Sequence, residues 1–191
     1  MDYLVWESVP IGNACLLDTL QEVEWDTNLL RGIPFLGTFP KGAYFRMSKR
    51  HKKDTRLTDD LWNLSGVKVC SPRLVQFLRD RQVPALEYLP VAILDHRGKV
   101  AGKDHCIVHP VGLQDALDLK RSKPEYSPIL PDEIDTVERL IIDPSRVAPD
   151  VRIFRLAAFL FPVLIEKGLV EEMEREKFVG PIFQPLDEYG T

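Results

Sequence analysis

The chain has 191 residues, of which 45% are hydrophobic and 28% charged, with a formal net charge of -4. That composition excludes a disordered, fibrous or membrane-embedded chain and suits a soluble globular domain with a substantial core. Residues 46–56 hold six Lys/Arg and one acid; setting that +5 aside leaves -9 on the rest, which argues against a general nucleic-acid binder and suits a cationic partner.

Residues 1–6 read as a short strand closed by Pro10 and Gly12. Over 14–30 the apolar positions, Leu16, Leu17, Leu20, Val23, Trp25, Leu29 and Leu30, have mixed spacing and fit neither helix nor strand. Gly32, Pro34, Gly37, Pro40 and Gly42 make 33–44 a stretch of turns and short extended pieces. The tract 46–56 has no apolar period and reads as a polar loop. In 61–78, LWNLSGVKVCSPRLVQFL, a β-leaning half with Trp62, Val67 and Val69 gives way to a helix. Ser71 can cap it, and Pro72 sits at the first helical position, where a missing N–H costs nothing. Leu74, Val75, Phe77 and Leu78 form its apolar stripe, and Pro84 ends it near residue 82.

Residues 86–94 (LEYLPVAIL) and 100–108 read as a hairpin around Asp95-His96-Arg97-Gly98, with Pro90 at a bulge or an edge. A helical turn is expected at 111–119, a proline-punctuated loop at 120–131, and strands at 137–142 (VERLII) and 152–159. A C-terminal helix beginning at Pro162 would use Leu164, Ile165, Leu169, Val170 and Met173 as its core face. Residues 178–183 close the chain as a strand. Strands outnumber helices without regular β–α alternation. The fold expected is α+β, a mostly antiparallel sheet with a few packed helices in a single domain over 1–191.

Few residues offer chemistry. Cys15, Cys70 and Cys106 are widely spaced, with no Cys-x-x-Cys, and read as reduced, buried thiols of a cytoplasmic protein. The N-terminus has no basic n-region followed by an apolar h-region, so no secretory signal is expected. The most apolar run, 156–165, is about half a membrane span and contains Pro162. A strand through Asp104-His105-Cys106 and His109 puts both histidines on one side and the thiol on the other, which makes no thiol–imidazole pair. A helix there would align His105 and His109 for zinc, but Ile107, Val108 and Pro110 oppose one. No glycine stretch has a phosphate-loop pattern and no serine sits in Gly-x-Ser-x-Gly. Asp59-Asp60 and Asp132-Glu133 could hold a divalent ion, yet each lies beside an element start, where a helix dipole or solvation accounts for it. The expectation is a non-enzyme with no catalytic residue, cofactor or metal.

Two charged segments could bind partners. Arg46, Lys49, Arg50, Lys52, Lys53 and Arg56 could neutralise phosphates, so a nucleic-acid-binding or regulatory module is the alternative reading. The tract lacks interleaved aromatics beyond Tyr44 and Phe45 for base stacking. Near the C-terminus, Glu171, Glu172, Glu174, Asp187 and Glu188 are either a solvated face or a patch for a cationic protein.

The order of LWNLSGVKVCSPRLVQFL, YLPVAILDHRGKVAGKDHCIVHPVGLQDALDL, IDTVERLIIDPSRV and IFRLAAFLFPVLIEKGLVEEMEREKFVGPIF is distinctive. It resembles immunity protein family eleven of bacterial polymorphic toxin systems, the myxobacterial-type immunity domain. Residues 61–187 carry the resemblance; 1–60 are less diagnostic. The resemblance implies a cytoplasmic antidote that binds the toxin domain encoded beside it and blocks its active site. Some partners in this group look like nucleases, which are commonly basic, and an acidic body would complement one. It supplies no catalytic residues and no fixed toxin-contacting positions, and it does not require the tract 46–56.

Overall fold

The computed structural model describes residues 2–24 and 26–189. Met1 and Trp25, placed above in the first strand and in the irregular 14–30 segment, lie outside the described residues. The first strands are β1 (Tyr3–Ser8), β2 (Tyr44–Arg46), β3 (Asp60–Leu61), β4 (Lys68–Cys70), β5 (Leu86–Leu94) and β6 (Val100–Pro110). They are followed by β7 (Leu113–Gln114), β8 (Pro124–Tyr126), β9 (Ile134–Val137), β10 (Ile153–Leu156), β11 (Val163–Glu166) and β12 (Pro181–Pro185). The helices are α1 (Thr27–Leu30), α2 (Pro72–Asp80), α3 (Leu119–Ser122) and α4 (Lys167–Glu176).

The strands make two five-stranded sheets, β12-β1-β11-β10-β7 and β2-β5-β6-β4-β3, and a β8-β9 ribbon. The class is α+β, but the mostly antiparallel sheet expected from sequence becomes two mixed sheets. Their other pairs are antiparallel, while β7 runs parallel to β10 and β2 parallel to β5. Both odd strands are short and are separated from their parallel partners by long stretches of chain, so no hairpin dictates their direction.

The local signals around α2 and the hairpin hold. Ser71 Oγ accepts from the Leu74 N–H at 3.3 Å, Pro72 opens α2, and the Leu74/Val75/Phe77/Leu78 stripe is buried. At the β5–β6 turn, the Asp95 N–H donates to the Lys99 carbonyl at 2.8 Å and Gly98 takes φ +79°. The register slips between Val91 and Ile93, just past Pro90. β2 meets β5 only from Ala92 onward, so Pro90 owes that neighbour no N–H.

Other expectations are corrected. The 111–119 segment is not a helical turn but carries β7, and α3 and β8 occupy the presumed loop of 120–131. The strand expected at 137–142 lies earlier, as β9, leaving Ile142 to bridge Leu117. The last helix starts at Lys167, because 163–166 form β11. Leu164 and Ile165 are buried among different clusters on the two faces of that strand. A strand covered on both sides reads as a continuous apolar run, which in sequence resembles a buried helix.

Three apolar clusters fill the fold. One lies between the second sheet and the irregular 15–47 segment, around Leu17, Phe45 and Ile93. Another covers the first sheet's far face around Phe154 and Leu164. The third unites α2 and α4 with both sheets, joining Trp6, Val163 and Ile165 to Cys70 and Val108.

Candidate partner-binding surface

The acids of α4 divide by what their side chains touch. Leu169, Val170 and Met173 are buried, which turns Glu171 and Glu174 to solvent. Glu172 instead lies between Arg81 at the end of α2 and Arg152, with Arg152 also paired to Glu166. The hydrogen bond from Arg81 holds the Glu172 carboxyl below the usual carboxylate range, with Arg152 adding to it. Asp187 and Glu188 sit apart, on the 3-10 turn Leu186–Glu188 that follows β12.

The basic tract is an exposed turn that begins at a strand end. Arg46 belongs to β2, with its guanidinium 5.9 Å from the centre of the Tyr44 ring. Lys49, Arg50, Lys52, Lys53 and Arg56 are exposed, around a turn closed by His51 N–H to Ser48 and Asp54 N–H to His51.

His105 and His109 lie inside the fold. Both are buried in β6, where four residues of strand separate them by about 13 Å, beyond shared coordination. His109 Nε2 lies 3.0 Å from the Ile33 carbonyl and its ring meets Phe35 edge-on. Burial pushes both imidazoles below their ordinary value, which favours the neutral form. Among the described residues no three His, Cys, Asp or Glu side chains gather in a way that could hold a metal. Burial also pushes the Cys15 thiol up to about 11, and raises those of Cys70 and Cys106.

Asp60 corrects the expectation of a solvated pair. It is wholly buried and accepts from Trp6 Nε1 at 2.8 Å and Ser8 Oγ at 2.7 Å. Lys68 Nζ donates to the same Ser8 hydroxyl at 3.0 Å and lies over the Trp6 ring. Burial drives the Asp60 carboxyl up and the Lys68 ammonium down, each opposed by the other's charge. Nearby, buried Arg155 donates to the carbonyls of Leu160, Phe161 and Gly66. This polar knot lies where the two sheets meet, beside a cavity of about 320 Å³ walled in part by Trp62, Phe161 and Tyr189. Its sequence signal was Lys68 set between Val67 and Val69, a cation inside a strand.

A larger concavity, about 840 Å³, lies between α1, the β8–β9 ribbon and the β10–β11 turn. Leu119, Tyr126, Leu130 and Phe161 line it, with Asp132, Glu133 and Arg31 beside them. The second acidic pair is thus divided: Glu133 lies 3.5 Å from Arg31, and Asp132 is exposed. The sequence marked only Asp132 and Glu133 here, as a possible ion-binding pair, and not the apolar lining. Its available signal was Tyr126, Ile129 and Leu130, large apolar residues in a proline-rich stretch without a core period.

The surface thus presents exposed acids on α4, an exposed basic turn and an apolar groove. The chain matches the family model described as "Immunity protein family (Imm11)" over residues 17–188. It belongs to that family. A comparison with curated proteins finds no match. The match reaches well into the first sixty residues, taking in the irregular segment and the basic tract that the motif order alone left weakly placed.

Proposed function

We propose that this chain is a cytoplasmic, non-enzymatic immunity protein that binds a cognate bacterial toxin domain and neutralises it by covering its active site. The observation that carries this reading is the family match over 17–188. The surface supports it, because the accessible features are charged and apolar patches suited to a protein partner. The toxin is a basic domain, of nuclease type, and the exposed carboxylates of Glu171 and Glu174, with Asp187 and Glu188 beyond β12, favour its approach. Glu172 belongs to the same acidic set but acts chiefly through its arginines. Among the described residues no helix is long and apolar enough to cross a membrane.

The test is co-expression with the toxin gene encoded beside this one. Growth should be restored when the immunity chain is present and lost when it is omitted. Undiminished killing with folded chain in the cell overturns the proposal. Rescue that instead required the cations of 46–56, with salt-sensitive binding to DNA or RNA, would favour the nucleic-acid alternative.

A further inference from the structure

We infer that the groove between α1, the β8–β9 ribbon and the β10–β11 turn is the docking face for the toxin. Its occupant is an apolar segment of the toxin that also carries a cationic side chain. This rests on the immunity reading above and adds the location of the interface.

Leu119, Tyr126, Leu130 and Phe161 are 46%, 52%, 52% and 56% exposed, and all four line one concavity. Single exposed apolar residues are ordinary on a protein surface, whereas several converging on a cavity of about 840 Å³ mark a binding site. Aromatic side chains such as Tyr126 and Phe161 are also enriched at the cores of protein interfaces.

The charges beside the groove select the occupant. Asp132 and Glu133 outnumber Arg31, and the Arg31–Glu133 pair is loose, with both side chains more than half exposed. An incoming cation can engage Asp132, or exchange with Arg31 at Glu133, without uncovering a buried charge. That complements the basic toxin proposed above and disfavours an acidic segment. Phe161 gives the patch its continuity. Its ring packs against Phe159 at 5.9 Å, and it also lines the smaller cavity beside Lys68 and Trp62, so one ridge joins the groove to the junction of the two sheets.

The experiment measures binding of the purified toxin domain to the full chain and to the variants Leu130→Asp and Phe161→Asp. Both positions are exposed, and circular dichroism with thermal melting verifies that each variant is folded. Each variant should weaken binding by roughly 30-fold or more, mainly through faster dissociation. Hydrogen exchange on the complex should protect residues 126–134 and 157–161. Wild-type binding that both variants retain, or protection confined to α4, overturns the groove while leaving the immunity reading intact. Failure of the wild-type chain to bind toxin overturns both. A concentration-dependent dimer that Leu130→Asp dissociates would assign the groove to a second copy of this chain and overturn the toxin assignment.

Discussion

At the scale of single residues, Asp59, just before β3, ties together distant parts of the chain. Its carboxylate accepts from Ser71 Oγ at 2.7 Å, from Arg73 at 2.8 and 3.2 Å, and from the Val179 N–H at 2.9 Å. One carboxylate thus holds the N-terminus of α2 against the turn leading into β12. Burial alone would raise its pKa, but Arg73, the Val179 N–H and Ser71 together outweigh that and hold it below the ordinary 3.8. A depressed carboxylate contributes stability that is complete above its unfolded value and is lost as pH falls through the folded one. Asp59→Ala should therefore cost about 1.5–3 kcal/mol near neutral pH, the range for hydrogen bonds to a charged group. Urea unfolding at a series of pH values checks this: the gap between wild type and Asp59→Ala should narrow below pH 3.8, and a gap that stays constant into acid would contradict it.

At the scale of elements, α2 and α4 form the unit that joins the sheets. Phe77 meets Phe178 edge-on at 5.2 Å, and Arg73 donates to the Glu176 and Lys177 carbonyls at the end of α4. At the other end of α2, Arg81 stacks on Phe77 and pairs with Glu172. Much of this was legible in sequence. The Ser71-Pro72 start, the stripe of α2 and the Leu169/Val170/Met173 face of α4 are local patterns that tertiary packing keeps. The partners of Glu172 were not legible, because Arg81 and Arg152 come from distant parts of the chain. Nor were β7 and the groove, since 111–142 is built from strands of two to four residues whose pairing is decided by long-range contacts. The division among the α4 acids has a consequence. Glu171→Lys with Glu174→Lys should slow toxin association and leave the melting temperature within about 2 °C of wild type, since exposed charges contribute little to folding. Glu172→Lys should lower the melting temperature by several degrees, because it sets a third cation beside Arg81 and Arg152. Equal melting temperatures for Glu171→Lys and Glu172→Lys would contradict that division.

At the scale of the molecule, each sheet has an apolar cluster of its own, and a third cluster is shared between them. The cluster around Trp6 takes Val163 and Ile165 from one sheet and Cys70 and Val108 from the other, with α2 and α4 between them. Polar contacts cross the same junction: Trp6 of β1 donates to Asp60 of β3, and Arg155 of β10 to the Gly66 carbonyl. Unfolding either sheet alone would strip apolar surface from the other and strand Asp60, Lys68 and Arg155 without their partners. Leaving such groups buried and unpaired costs about 1–3 kcal/mol each or more, so partial unfolding is disfavoured. The two sheets should therefore unfold as one cooperative unit. Tryptophan fluorescence and far-ultraviolet circular dichroism should trace a single superimposable urea transition. Trp6→Phe keeps the ring packing but removes the N–H that Asp60 accepts, so it should move the whole transition to lower urea without changing its slope. Two resolved transitions in the wild-type chain, or a second phase that appears only in Trp6→Phe, would show that the sheets unfold separately.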